Sequence, residues 1–282
     1  MKIRNLMAGL TLFLAMAVPA LAELTPLPVD DSAGLVADKA NYTADGMGYE
    51  DESLSVQIEK TRAYDTDVWL CKVKVSDASQ IRTAMAGKYG STKTAGAAVM
   101  AKRMNAVFAV NGDYFSYRAE GYLVRQGKLY RNHIDARYDM LIIDDKGDFY
   151  VIQDPTEDKV AAFEGTMVNT FNFGPILYMN GEKVLPVKYM DSGSTERAQR
   201  LVACQTGPLS YLFVATAANG KGNNGLTMEE LVDYVATLDV QVAYNLDGGG
   251  SSSIILGGKK INSNSSRPLC DILYFSTLIP AE

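Results

Sequence analysis

Histidine and cysteine are scarce in this chain of 282 residues: there is one His, His133, and only Cys71, Cys204 and Cys270. A zinc site built from several imidazoles or thiolates is therefore nearly excluded. Three thiols allow one disulfide with one left over, and the sequence does not choose the pair; buried free thiols are the commoner fate of isolated Cys beside apolar residues. Positive charge is also short. With 27 Lys and Arg against 33 Asp and Glu, the formal charge is -6, which argues against the concentrated basic surface of a nucleic-acid binder. Beyond the N-terminus no apolar run could span a bilayer, and repeats and low-complexity tracts are absent. What is present is an ordinary globular composition, 47% hydrophobic and 21% charged. Any chemistry must rest on carboxylates, amides, hydroxyls and guanidinium groups.

Lys2 and Arg4 precede an apolar run from Leu6 to Val18, and Ala20-Leu21-Ala22 offers small residues at a cleavage site. This pattern predicts a signal peptide over 1–22, cut before Glu23. Its loss removes two cations and takes the formal charge from -6 to -8. No Cys marks a lipoprotein anchor. The expected localisation is secreted or periplasmic, in the cell envelope, without a membrane span after cleavage. Residues 23–52, with Pro26, Pro28 and little periodicity, are expected to be an N-terminal extension or linker, and 53–282 a single domain.

Within that domain 53–58 and 68–75 alternate as strands do. Ala106 to Val110 is a continuous apolar run suited to a strand buried on both faces. Further strands are expected at 122–125, 140–143, 149–152, 176–179, 201–204 and 212–215. Gly127-Lys128, Lys146-Gly147 and Asn180-Gly181 read as hairpin turns. Helices are predicted over 94–104, with Thr94 as cap, and over 227–238, where Thr227 and Glu230 form a capping box. The fold class is α+β: a strand-rich mixed sheet core with a few covering helices.

Two strand exits carry the polar groups. Ala243-Tyr244-Asn245-Leu246-Asp247 is followed by Gly248-Gly249-Gly250-Ser251-Ser252, with Asn245 and Asp247 on one face. A glycine run lets main-chain N–H groups approach an anion, and the serines add donors. The other exit is Asn111-Gly112-Asp113. Neither a P-loop nor a nucleophile elbow is present. Arg200 and Arg267 are the cations beside these segments, whereas His133 reads as a surface residue.

These segments, in this order, resemble the phosphodiester glycosidase family, from about Trp69 to Phe275. The resemblance rests on 109–115 (AVNGDYF), 121–131 (GYLVRQGKLYR), Phe173-Gly174-Pro175 with Asn180-Gly181, 225–231 (GLTMEEL) and 245–252 (NLDGGGSS), with Arg267 following. It departs at Gln199-Arg200-Leu201-Val202-Ala203-Cys204, where the family has Pro-Arg-Thr-Ala-Ile-Gly, and at Asn219-Gly220-Lys221, where it has Asp-Gly-Arg.

The resemblance implies hydrolysis of the bond between a sugar anomeric carbon and a phosphodiester in an envelope or extracellular glycan. Arg200, Arg267 and the N–H groups of Gly248, Gly249 and Gly250, with Ser251 and Ser252, are expected to hold phosphate. Asp247 or Asp113 would act as nucleophile or base, with Asn111 and Asn245 gripping sugar hydroxyls. No cofactor is required, although Ca²⁺ held by Asp113, Asp247 and the Asn side chains is a separate reading. The alternative function is a noncatalytic glycan-binding protein, motivated by the altered residues around Arg200.

Overall fold

The computed structural model describes residues 24–184, 195–220, 222–262 and 267–281. The predicted signal peptide lies outside the described residues. An eight-stranded sheet runs in the order Gly48–Glu50, Leu54–Ala63, Thr66–Val75, Ser210–Thr216, Leu201–Gly207, Val242–Leu246, Ile176–Met179, Glu182–Lys183. A five-stranded sheet has the order Lys259–Lys260, Ile254–Leu256, Phe108–Asn111, Asp271–Phe275, Ile81–Met85. Met167–Phe171, Met140–Asp144 and Phe149–Ile152 make a smaller sheet, and Gly121–Arg125 pairs with Lys128–His133.

The α+β, strand-rich architecture is the one expected. The structure refines one point: every strand pairing among the described residues is antiparallel, so the sheets are not mixed in direction.

Strand alternation builds the layers. In Ser210–Thr216, Phe213 and Ala215 face a central core, while Leu212 and Val214 face the opposite side. The central core joins these residues to Phe108, Val110, Leu273 and Phe275 of the five-stranded sheet. Phe108, Phe213 and Phe275 meet there with ring centroids 5.5, 5.7 and 6.1 Å apart, and burying each contributes roughly 1.5–3 kcal/mol. The outer face of the large sheet is covered by the helix Met228–Val235, through Leu231, Val232 and Val235. Its capping box forms as expected. The helix Ala97–Arg103 covers the other sheet through Met100 and Ala101. Gly96 is its N-cap and makes no side-chain capping bond, so Thr94 is not the cap. Its stability comes from packing rather than from its end.

The extension is tied to the body. Arg82, fully buried, donates to the carbonyls of Pro28 at 2.7 Å and of Asp30 and Ser32 at 3.0 Å, and to Tyr274 Oη at 3.1 Å. The three cysteines are free and buried. No helix among the described residues is long and apolar enough to cross a membrane.

One connection positions the site. The chain leaves the large sheet at Leu246, passes through Asp247 and the glycine-serine segment, and enters the five-stranded sheet at Ile254, beside Phe108–Asn111. The two polar strand exits therefore meet where the sheets are joined.

Candidate active site

Asn111 fastens that junction. Its Nδ2 donates to the Asp247 carbonyl at 2.7 Å, and its Oδ1 accepts from the Ser253 N–H at 3.0 Å. Its amide is thus engaged with backbone and holds the two exits together, rather than standing open to a sugar. Next to it, Asp113, Asp247, Ser251 and Arg267 line a cleft of about 340 Å³, with Tyr114, Tyr117, Pro268, Leu269 and Cys270.

The two carboxylates differ in setting. Asp113 is buried and accepts from Phe115 N at 3.1 Å, Asn172 N at 2.9 Å and Arg125 Nη2 at 3.2 Å. Both its oxygens are therefore occupied. Asp247 is only partly buried. Burial raises its pKa, against the Ser251 hydrogen bond and the charge of Arg267, with Asp113 adding to the rise. A carboxyl displaced upward in a cleft beside a guanidinium is a candidate for proton transfer.

The glycine run serves approach more than anion binding. A Cβ on Gly248 would lie 2.5 Å from the Gln199 carbonyl oxygen, and Gly249 has φ +55°. Gly249 gives its N–H to Gln199 O at 2.8 Å, while Ser251 and Ser252 donate to the carbonyls of Gly248 and Gly249. The two serine N–H groups close a 3₁₀ turn on itself, and the Gly249 N–H ties that turn to the neighbouring segment. Ser252 is buried, and its hydroxyl lies against Asn262 Nδ2 at 3.3 Å. Gly250 instead lets Arg267 lie close, since a Cβ there would sit 3.0 Å from its Nε. Gly248→Ala is expected to cost about 1–3 kcal/mol and to displace Asp247, because the obstacle is backbone; chemical denaturation of the purified variant measures it.

Arg200 and Arg267 part company. Arg267 is exposed and lines the cleft, with Nη1 3.5 Å from Ser251 Oγ. Arg200 stands opposite Asp247 at the next register position beyond the pair Leu201 and Leu246. Its Nε donates to Leu226 O at 3.1 Å and its Nη2 to Glu196 O at 2.8 Å, so its side chain is bound to backbone on the helix-covered side. Asn245 lies on that face too, paired across the ladder with Val202. Its Nδ2 donates to Gly174 O at 2.8 Å, and its buried Oδ1 has no partner. His133 is exposed.

Sequence reasoning missed Arg125 and Asp271 as functional residues. Arg125, 1% exposed, donates to Asp271 Oδ2 from Nη2 at 2.6 Å and from Nε at 3.0 Å, as well as to Asp113. A further donation goes from its Nη1 to the Thr170 carbonyl. The available signal was an acid opening the otherwise apolar strand Asp271–Phe275 and an Arg closing the apolar strand Gly121–Arg125. Two carboxylates share one guanidinium. Burial pushes Asp271 up to about 7, opposed by Arg125 and reinforced by Asp113. The folded protein thus keeps a proton that the unfolded chain releases above about pH 4. Stability from this group is fully present below the unfolded pKa and is lost as pH rises through about 7. The melting temperature of wild type relative to Asp271→Asn should therefore fall between pH 4 and pH 8, as differential scanning calorimetry can show.

Among the described residues, no three His, Cys, Asp or Glu side chains are grouped to hold a metal ion.

The fold and cleft define an antiparallel, strand-rich α+β protein with an acid and a guanidinium where its two largest sheets join. A family model for phosphodiester glycosidases matches residues 104–276, more than half of the chain, and the chain belongs to that family. Among solved structures, the zebrafish N-acetylglucosamine-1-phosphodiester alpha-N-acetylglucosaminidase catalytic domain, auto-inhibited by its pro-peptide, is similar at 18% identity and TM-score 0.64, over 79% of this chain and 83% of that one. A hypothetical protein from Synechocystis shares 16% identity at TM-score 0.55, over 79% of this chain and 62% of that chain. A Burkholderia pseudomallei protein named as exported shares 14% at TM-score 0.52, over 75% and 74%. At these identities the likeness concerns the fold. No curated protein sequence matches the chain.

Proposed function

We propose that this protein is an exported hydrolase that cleaves the bond between a sugar anomeric carbon and a phosphodiester in an envelope or extracellular glycan. The observation that carries this reading is the shared cleft of Asp247, Asp113 and Arg267 in a chain of the phosphodiester glycosidase family. The leader predicted over 1–22 and the similarity to a protein named as exported support the export.

The roles follow from chemistry. A departing phosphomonoester is stable as an anion, so it needs charge stabilisation more than a proton. Arg267 provides that charge at the cleft wall. Asp247 is the carboxyl with room to act: it takes a proton from water as the water oxygen bonds to the anomeric carbon and the carbon–oxygen bond to phosphate breaks. Asp113, with both oxygens occupied, orients the wall of the cleft through Phe115, Asn172 and Arg125. Asn245, buried on the helix-covered face and bound to the Gly174 carbonyl, and Arg200, bound to the Leu226 and Glu196 carbonyls, are left to hold the scaffold behind Asp247.

Incubation of the purified protein with methyl phosphodiesters of glucose, galactose and N-acetylglucosamine 1-phosphates, followed by proton NMR, tests the reading. Free sugar with the anomeric configuration initially inverted is the expected product, because one acting carboxylate implies direct attack by water. Release should persist in EDTA, since the Asp113 oxygens already have donors. Loss in EDTA restored by Ca²⁺ would favour a bound cation instead. No release from any diester, with binding retained, would favour a noncatalytic glycan-binding protein.

A further inference from the structure

Beside the acid and the guanidinium, the same cleft is walled by two tyrosines that take no part in the chemistry above. Tyr114 and Tyr117 are 40% and 56% exposed, although both are large aromatic side chains. Their rings stack with centroids 4.8 Å apart and planes 20° from parallel. The local backbone accounts for the stacking. Phe115–Tyr117 is a 3₁₀ turn capped by Tyr114, and side chains three apart on such a turn lie one above the other. Phe115, between them, points inward and packs with Leu123 and Cys270. Arg118 lies 5.4 Å from the Tyr114 ring centroid and 4.2 Å from that of Tyr138, which limits how far Tyr114 can turn. The result is an open aromatic surface that begins one residue from Asp113.

An exposed aromatic surface of this kind in a polar cleft suits a ligand with a face of C–H groups and a rim of hydroxyls, as a pyranose ring has. An anionic group alone would gain nothing from it. We infer that the Tyr114–Tyr117 stack is the platform on which a pyranose ring of the substrate lies, with the phosphate directed to Arg267. This rests on the hydrolase reading and adds to it the specificity-determining residues for the sugar. The platform selects for a ring with a flat C–H face, whereas Arg267 selects for the anion.

The test uses the full mature chain with the same methyl phosphodiesters, together with the corresponding methyl glycosides, which carry no phosphate. Tyr117→Ala and Tyr114→Ala should raise KM by about five- to tenfold with kcat changed less, and Tyr117→Phe, which keeps the ring, should restore KM. Tyr150→Ala removes another exposed tyrosine, outside the cleft, and serves as the control. Circular dichroism confirms that each variant is folded. If wild type releases sugar and both alanine variants keep its KM, the platform is wrong and the hydrolase reading stands. If wild type releases nothing but titration calorimetry shows methyl glycosides binding in a way lost with Tyr117→Ala, the platform stands and hydrolysis fails. Neither release nor binding of any probe overturns both.

Discussion

Replacing Asp247 by Asn should lower kcat/KM for a sugar phosphodiester by about 10²- to 10⁴-fold, the range associated with losing a general base. The fold should survive, because Asn is nearly isosteric and the Asp247 carbonyl still accepts from Asn111. The pH dependence supplies an independent check. Since burial raises the Asp247 pKa, wild-type activity should rise with pH through that displaced value, and the acidic limb should be absent from the variant's residual rate. Stability should move the other way. A carboxyl whose folded pKa is raised costs stability when it ionises, so Asp247→Asn should raise the melting temperature at neutral pH. That gain should vanish as pH falls below the unfolded carboxylate range. Undiminished sugar release from the variant would remove Asp247 from the reaction.

The second large effect concerns stability. Arg125→Met leaves Asp113 and Asp271 facing each other in the interior without their common cation, and breaking such a buried ion pair costs about 3–5 kcal/mol. Urea denaturation should show the loss as a lower midpoint at an unchanged slope. The cost belongs to the uncompensated carboxylates rather than to the missing Arg packing. A triple variant, Arg125→Met with Asp113→Asn and Asp271→Asn, should therefore recover much of it. A triple variant no more stable than Arg125→Met would place the loss in packing against Phe171, whose ring centroid lies 4.4 Å from the guanidinium carbon. Activity should drop in both, since Asp113 loses the donor that orients it in the single variant and is itself replaced in the triple variant.

Much of the local structure was legible in the chain. Thr227 and Glu230 announced the capped helix, and the alternation of 68–75 announced a strand within Thr66–Val75. Asn180 and Gly181 both take positive φ at their hairpin, as their residue types favour, whereas the turn expected on Gly127 and Lys128 falls on Gln126 and Gly127. Short strands with charged or mixed residues, such as Lys128–His133 and Ile81–Met85, gave no clear period, because their partners rather than their own pattern hold them extended.

The candidate site divides in the same way. Residue type and order determined which groups could do chemistry here: with one His and no thiol cluster, carboxylates and guanidinium groups had to serve, and both polar strand exits were visible as apolar runs ending in amide and acid. What a sequence cannot state is which lone pairs are already spent. Asn111 and Arg200 have the chemistry to bind a ligand, yet tertiary contacts commit them to the Asp247, Leu226 and Glu196 carbonyls. Arg125 and Asp271 lie 146 residues apart, and only the folding of their strands against Asp113 turns two unremarkable charges into one buried pair. Hydrogen-bond capacity is local to a side chain, but its use is decided by neighbours distant along the chain, and so the inventory came from the sequence and the assignment of roles from the fold.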